Sequence, residues 1–139
     1  MLEIKSNTTS DYDHRKAWLR TMEQLQMRLA LLKKEDRLLP RLYFYKGLSY
    51  RDLSQLFGLE ERTVARRIKQ ITDRLMSDKY ITVLRHKSQF SEIELEVAYD
   101  RYLLGLSYRK ISDRHNLGGR PALGIIRKLD GWLRKKLKD

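Results

Sequence analysis

The sequence predicts an all-α protein in which an N-terminal amphipathic helix precedes two tandem helix-turn-helix units joined by a short linker. Apolar residues recur at intervals of three and four along most of the chain, which is the period of an amphipathic helix. The pentapeptide GLSYR occurs at Gly47 and again at Gly105. Since 139 residues make one ordinary domain or two very small ones, the repeat favours two small units.

The N-terminal region is predicted to be a flexible lead-in, residues 1–10, followed by a helix from Asp11. Ser10 with Asp13 is a candidate cap for this helix. Because fewer than about three full heptads are present, the apolar seam favours packing within its own domain, and a homodimer through this helix is the alternative. The seam consists of Trp18, Met22, Leu25, Leu29 and Leu32.

The first helix-turn-helix domain is predicted within residues 11–76. A helix that contains Pro40, or begins near it, precedes a short helix that is capped by Ser49 and ends at Phe57. Gly58 then suits a left-handed turn. A further helix begins near Glu60 and has an apolar stripe that must face inward. The stripe consists of Val64, Ile68, Ile71 and Leu75.

Residues 77–90 interrupt the helical period. Residues 80–84 are β-prone, so the segment is predicted to be a linker or a short strand that forms a wing. Ser91 and Glu94 then form a capping box that opens the next helix. Residues 91–139 are the predicted second helix-turn-helix domain, which ends in a basic tail.

The internal repeat keeps a constant offset, since Gly105 lies 58 positions after Gly47. At this offset Gly58 meets Asn116, and both residue types tolerate the positive φ of a tight turn. The further matches are Leu53 with Ile111, Leu59 with Leu117, Arg62 with Arg120, Ile68 with Ile126, Ile71 with Leu129 and Leu75 with Leu133. The copies differ where Leu56, Phe57 and Arg66 become Arg114, His115 and Gly124. His115 is interpreted as a half-buried packing residue.

The charge of the chain predicts a polyanionic partner. With 30 Lys+Arg against 18 Asp+Glu, the formal net charge is +12 and the pI is near 10.0, which indicates double-stranded DNA. Residues 101–139 have a net charge of +8 and residues 47–75 one of +2, so non-specific affinity is expected mainly in the second unit. The alternative for its basic tail is a helix end with Trp132 and Leu133 packed beneath the cations.

Other classes of function find little support in the sequence. The absence of cysteine excludes disulfides, thiol catalysis and cysteine-ligated zinc, and it is compatible with a reducing cytoplasm. The histidines are scattered, and neither a phosphate-binding glycine loop nor a nucleophile arrangement is evident, so no enzyme, metal or cofactor is predicted. No apolar run reaches about 18 residues and no secretory signal opens the chain. The predicted location is therefore the cytoplasm, at the nucleoid in a bacterium, with no membrane partner.

In a helix-turn-helix the second helix enters the major groove while the first crosses the backbone. The predicted DNA contacts of the first unit are Glu61, Arg62, Thr63, Arg66, Arg67, Lys69, Gln70 and Arg74 on its second helix, and Ser49, Tyr50 and Arg51 at the start of its first. Arg62 or Arg66 can fork onto guanine and Glu61 can accept from cytosine, whereas Arg67, Lys69 and Arg74 suit phosphates. Two alternatives remain open: a solvated cationic face balanced by Glu60 and Glu61, and core packing of Tyr50 and Tyr108.

The second unit has its own candidate contacts. They are Ser107, Tyr108, Arg109, Lys110, Arg120, Arg127 and Lys128. Its second helix also places Leu123 and Ile125 where the first unit has Ala65 and Arg67. If these two apolar residues are exposed, the second unit binds a protein rather than DNA.

The segment from Leu31 to Leu75, in which GLSYRDLSQLFGL is followed by TVARRI, resembles the fourth conserved region of bacterial sigma factors of the sigma-seventy superfamily. The resemblance implies recognition of an upstream promoter element and contact with RNA polymerase. It also implies that Arg62, Thr63, Arg66 and Arg67 occupy positions of the recognition helix. Too few residues precede the motif for the promoter-melting sigma domain, and a second helix-turn-helix follows it. These departures fit a small sigma-like regulator of the kind found in phages or mobile elements.

The leading functional hypothesis is a sequence-specific double-stranded DNA-binding transcription regulator, whose two units read adjacent major-groove segments. The alternative is a DNA-binding module for transposition, recombination or phage packaging, or an architectural DNA-binding protein. Copurification with RNA polymerase favours the first hypothesis, and binding to the ends of a mobile element favours the second.

Overall fold

The computed structural model describes residue 16 and residues 19–138, and this part of the chain is almost entirely helical. Its α-helices are residues 19–29 (α1), Lys34–Phe44 (α2), Tyr50–Phe57 (α3), Glu61–Met76 (α4), Lys79–Arg85 (α5), Glu92–Tyr102 (α6), Tyr108–His115 (α7) and Gly119–Leu137 (α8), with a 3-10 helix at Lys87–Gln89. The described residues contain no β-strand, so the all-α fold class is confirmed. The tandem helix-turn-helix arrangement stays a prediction.

The chain divides into two compact units, Met1–Ile68 (unit 1) and Lys69–Asp139 (unit 2). The division lies inside α4, before the predicted domain end at residue 76. The last part of α4 and residues 77–90 therefore belong to unit 2. The predicted lead-in, the cap formed by Ser10 and Asp13, and Trp18 lie outside the described residues.

The apolar seam of α1 is largely buried. Leu25, Leu29 and Leu32 are each no more than 2% exposed in the single chain, and Met22 is half-buried. This burial is what packing within the protein requires. A homodimer through this helix stays a prediction.

The core of unit 1 is centred on Leu53 of α3 and on Val64 and Ile68 of α4, all of which are buried. Seven half-buried apolar residues pack against this centre: Leu39, Leu42, Tyr43, Phe44, Leu48, Phe57 and Leu59. Pro40 is buried inside α2, so this helix contains the proline and does not begin at it. The apolar stripe predicted on α4 therefore faces inward in unit 1 at Val64 and Ile68.

The core of unit 2 draws on four helices. Its buried members are Val83, Val97, Ala98, Tyr102, Ile111, Ala122, Ile126, Leu129 and Leu133. Residues 80–84 are helical within α5, which packs against α6 and α8, so the strand or wing alternative is wrong. The local β propensity of these residues is overridden by tertiary packing, because the helix buries Val83 completely.

The basic end of α8 has apolar residues beneath its cations. The Trp132 ring packs edge-on against Phe90 and His86, with ring centroids 4.9 and 5.1 Å apart. Leu133 is buried, while Lys136 Nζ lies 5.7 Å from the centroid of the Trp132 ring. This arrangement matches the alternative interpretation of the basic tail, a helix end whose cations reach past packed apolar residues.

The structure extends the internal repeat upstream of GLSYR. At the offset of 58 residues, α2 coincides with α6 and α3 with α7 at both ends, and α4 begins where α8 begins. Loop hydrogen bonds repeat as well: Leu48 N–H donates to Leu42 O at 3.2 Å, and Leu106 N–H donates to Asp100 O at 3.0 Å. Each unit is thus built around the same three-helix pattern. The sequence match between the two copies of the repeat covers only the last two of these helices.

Candidate nucleic-acid interface

The two copies of GLSYR form the same local structure. Gly47 and Gly105 have φ of 70° and 68°, and the serine two positions later is the N-cap of the next helix. Asp52 N–H donates to Ser49 Oγ at 3.0 Å, while Ser49 N–H donates to Asp52 Oδ2 at 3.2 Å. In unit 2, Lys110 N–H donates to Ser107 Oγ at 3.3 Å. The repeat therefore encodes a turn and a capped helix start.

The turn that follows each capped helix is also shared. Gly58 has φ of 66° and Asn116 has φ of 52°, so both residues occupy the left-handed region, as predicted. Leu59 N–H donates to Ser54 O at 3.1 Å, and Leu117 N–H donates to Ser112 O at 2.9 Å. This left-handed residue ends the first helix and redirects the chain, so that α4 and α8 each begin four positions after the last residue of the preceding helix.

The N-terminal half of α4 has a cationic outer face. Its exposed residues in unit 1 are Glu61, Arg62, Arg66 and Arg67, with Thr63 half-buried, and the exposed Lys69 and Gln70 follow in unit 2. Among the described residues, no carboxylate forms an ion pair with Arg62, Arg66, Arg67 or Lys69. Glu60 and Glu61 therefore do not neutralise this face through direct contacts.

Arg74 lies in a different environment from the other predicted contacts on α4. It is half-buried, and its guanidinium lies so close to Gly105 that a Cβ atom there would overlap it. The helix thus brings Arg62 and Arg66 to the exposed face but places Arg74 at a cavity within unit 2.

The tyrosines of GLSYR are partly exposed residues whose rings contact neighbouring side chains. Tyr50 and Tyr108 are each 37% exposed, so neither is a core residue. The Tyr50 ring stacks on Tyr43 with a centroid distance of 5.1 Å, and the hydrogen bond with Tyr43, followed by burial, raises the pKa of Tyr50. The Arg109 guanidinium carbon lies 5.9 Å from the centroid of the Tyr108 ring. Both tyrosines, together with the exposed Arg51, remain accessible to a ligand.

Unit 2 also has exposed cations among its predicted DNA contacts, on α7 and α8. Arg109, Lys110, Arg120 and Arg127 are exposed. Lys128 is exposed too, but its Nζ lies 2.6 Å from Glu94 Oε2. Its charge therefore already has a partner within the unit.

The position on α8 that corresponds to Arg66 is open. It is occupied by the exposed Gly124, and a Cβ atom there would meet no other atom within 4 Å. Leu123 and Ile125 are half-buried, and Ile125 packs against the core of unit 2. The expectation that these two residues are exposed is therefore wrong, because the packing of unit 2 already covers much of their surface, while protein binding by the second unit stays a prediction.

Unit 2 contains a charged cluster that the match between the two copies of the repeat does not predict. Asp100 Oδ2 accepts from Arg114 Nε at 3.1 Å and lies 2.7 Å from His115 Nε2. The other ring nitrogen of His115 lies 3.3 Å from Glu96 Oε2. His115 is half-buried, as predicted, and its ring nitrogens lie within contact distance of the carboxylates of Asp100 and Glu96. When the offset of 58 residues is extended upstream of GLSYR, Glu96 aligns with Leu38 of unit 1 and Asp100 aligns with Leu42.

The described residues lack two kinds of feature. They contain no cluster of residues suited to a metal ion, and none of their helices has the length and apolar character that crossing a membrane requires. Comparison with protein families, curated proteins and solved structures identified no match to this chain.

Proposed function

We propose that this protein is a sequence-specific double-stranded DNA-binding transcription regulator with a sigma-like first unit. In this proposal α4 reads bases in the major groove, and unit 2 contributes further contacts with the DNA. The observation that best supports this proposal is the outer face of α4. Arg62 and Arg66 lie one helical turn apart, both exposed and without a carboxylate partner in the described part of the chain. A guanidinium so placed can donate two hydrogen bonds to guanine.

The neighbouring residues supply the remaining parts of a DNA contact. Arg67 and Lys69 can contact phosphates beside the groove. Ser49, Tyr50 and Arg51 lie at the N-terminus of α3, where hydroxyl groups, backbone amides and a positive charge favour a phosphate. These groups hold the helix in place, while Arg62 and Arg66 select the sequence.

The two units have different roles in this proposal. Unit 1 reads bases, since its α4 carries Arg66, whereas α8 has Gly124 at the equivalent position. Unit 2 contributes Arg109, Arg120 and Arg127, which suit contacts with the DNA backbone. Because the units are covalently linked, binding of one raises the effective concentration of the other at the DNA.

RNA polymerase is the proposed protein partner, and unit 1 has two exposed leucines that a protein partner could cover. Leu38 of α2 is 51% exposed and Leu56 of α3 is 63% exposed. Unit 2 carries Glu96 and Arg114 at these positions, so the shared scaffold does not need leucines there. We expect the double variant Leu38→Glu/Leu56→Arg to fold normally, bind DNA and lose association with polymerase in a pull-down. Unchanged association would contradict this assignment.

The main experiment begins by selecting bound sequences from random duplexes. Affinity is then measured for selected and scrambled duplexes at physiological salt. We expect Arg66→Ala to weaken binding of the selected duplex by about 2 kcal/mol, which is about thirtyfold, and to leave binding of the scrambled duplex nearly unchanged. The matched control is Arg85→Ala, which removes an exposed arginine outside α4 and α8.

Three results would revise the proposal in different ways. A protein that shows no preference for any selected duplex is not a sequence-specific regulator. A uniform loss for both duplexes would make Arg66 a phosphate contact. Genomic footprints at the ends of a mobile element, rather than at promoters, would assign the DNA-binding activity to transposition or recombination.

A further inference from the structure

Unit 2 contains a cationic cavity on which the proposed recognition of DNA does not depend. The cavity has a volume of about 520 Å³, and four of the side chains that line it are cationic: Arg74, Lys79, Arg101 and Arg134. We call it the basic pocket. Its volume lies within the range of pockets that hold small molecules.

The charge of the basic pocket is poorly compensated. Asp130 is the carboxylate in its lining, and it accepts a hydrogen bond of 2.5 Å from the Tyr102 hydroxyl. Burial, reinforced by this hydrogen bond, raises the pKa of Tyr102, so the hydroxyl stays neutral. In the described chain, no carboxylate forms an ion pair with Arg74, Lys79 or Arg134. The excess positive charge therefore favours an anion.

One cation of the pocket depends on a glycine of the repeated pentapeptide. A Cβ atom at Gly105 would overlap the Arg74 guanidinium, whereas a Cβ atom at Gly47 would meet nothing within 4 Å. Both glycines have positive φ, so the turn alone requires them equally. Gly105 has a second role, which is to leave room for Arg74 at the edge of the pocket.

Part of the remaining lining of the pocket is apolar. Leu133 and Leu137 of α8 line it together with Tyr102, and Lys79 Nζ lies 5.9 Å from the centroid of the Tyr102 ring. A concave site with cations on some walls and apolar side chains on others suits a small molecule with both an anionic and an apolar part. The phosphates of duplex DNA lie on a convex surface without an apolar part, and they suit it less.

We propose that the basic pocket binds a small phosphorylated molecule, whose phosphate groups contact Arg74, Lys79 and Arg134 while its uncharged part lies against Leu133 and Leu137. This activity goes beyond DNA binding and does not require it. Unit 2 would thus be the part of the protein that senses an effector.

The test is calorimetric titration of the full chain with ATP and, separately, with inorganic pyrophosphate, without DNA and at physiological salt. We expect one saturable site for ATP per chain and weaker binding of pyrophosphate, which lacks the uncharged part. Arg134→Gln should weaken ATP binding by at least about tenfold, as expected for the loss of a charged hydrogen bond. The matched control, Lys135→Gln, removes an adjacent exposed charge that does not line the pocket and should leave ATP binding unchanged.

A second pair of variants separates the pocket from general effects on folding. Gly105→Ala and Gly47→Ala introduce the same backbone strain, but only Gly105→Ala displaces Arg74. We expect weaker ATP binding for Gly105→Ala alone, with both variants shown to be helical by circular dichroism.

Three results would overturn the proposal. The first is the absence of saturable binding of both probes, and the second is an equal loss of ATP binding in Lys135→Gln. The third is a set of pocket variants that leave ATP binding intact but lower duplex-DNA affinity more than Lys135→Gln does, since the pocket would then hold a backbone phosphate. Failure of sequence-specific DNA binding would leave the ATP titration unaffected, so the two proposals can fail separately.

Discussion

At four equivalent positions the two units have opposite chemistry on nearly the same backbone. Unit 1 has Leu38, Leu42, Leu56 and Phe57, and unit 2 has Glu96, Asp100, Arg114 and His115. The helices nevertheless begin and end at the same offset, with the same capped serines and left-handed turns. The turns, caps and inner apolar positions therefore define the three-helix scaffold, and the positions where the first two helices approach each other accept either apolar or charged side chains.

The largest effect is expected where unit 2 depends on its charges. His115→Phe installs the residue of unit 1 but removes one of the two partners that the carboxylate of Asp100 has among the described residues. Asp100 is 1% exposed, and in the same part of the chain its Oδ1 atom already has no hydrogen-bond partner. Removing one hydrogen-bond partner from a buried carboxylate is costly, and Arg114, which is 46% exposed, would remain as its partner, so we expect the free energy of unfolding to fall by about 2 kcal/mol in urea titrations.

The matched control replaces Asp100 together with both of its partners, Arg114 and His115. Asp100→Leu/Arg114→Leu/His115→Phe gives unit 2 the apolar residues of unit 1, and complete replacement of a buried ionic cluster by packed apolar residues is often neutral or stabilising. We expect this triple variant to regain most of the stability that His115→Phe loses. A triple variant no more stable than the single one would show that the scaffolds differ in shape as well as in side chains.

The same comparison explains how much the sequence could predict. GLSYR, Gly58 and Asn116 mark turns and caps, which depend on a few adjacent residues, and these features were predicted at the observed positions. The equivalence of α2 and α6 was missed because their shared positions, such as Leu39 with Val97, keep only apolar character. The helix at residues 79–85 was missed because its stability comes from burial of Val83 against distant helices rather than from local propensity.

The predicted site shows the same limit. Exposure of Arg62, Arg66 and Arg67 follows from helical periodicity, since Val64 and Ile68 must face inward, and the structure agrees. The positions of Arg74 beside Gly105 and of Lys128 beside Glu94 depend on contacts with residues about 30 positions away. Periodicity within one helix does not contain that information.

A smaller effect is expected from making α8 resemble α4. Gly124→Arg installs the residue that unit 1 has at this position, in a space where no other atom lies within 4 Å of the new Cβ. Replacing glycine in a helix should raise the free energy of unfolding by about 1 kcal/mol. If α8 faces DNA, the added guanidinium should also increase DNA affinity by up to about tenfold.

Gly124→Ala separates the two contributions, because it supplies the helix propensity without the charge. We expect it to match Gly124→Arg in urea titrations and to match the parent protein in DNA binding. If Gly124→Arg also binds DNA only as well as the parent protein, this face of α8 does not approach DNA, and the two units do not share a binding mode.

The smallest effect concerns an ion pair that exists only in unit 2. Lys128 contacts Glu94, whereas the first copy of the repeat has the neutral Gln70 at the position of Lys128. The hydrogen bond from Lys128, together with the Ser91 amide, holds the pKa of Glu94 below its ordinary value of 4.5. The pair therefore stabilises the fold above about pH 4.5, and this contribution is lost as the pH falls through the lowered pKa.

Lys128→Gln should accordingly lower the free energy of unfolding by about 0.5 kcal/mol at pH 7, as for a partly exposed ion pair, and by progressively less in acid. Urea titrations between pH 7 and pH 2 measure this difference.

In DNA binding, Arg127→Gln should lower the affinity more than Lys128→Gln does. The reason is that Lys128 must leave Glu94 before it can contact a phosphate, while Arg127 has no such partner in the described residues. Equal losses of DNA affinity would mean that the ion pair opens on binding, and the charge of Lys128 would then belong to the DNA surface rather than to the packing of α6 on α8.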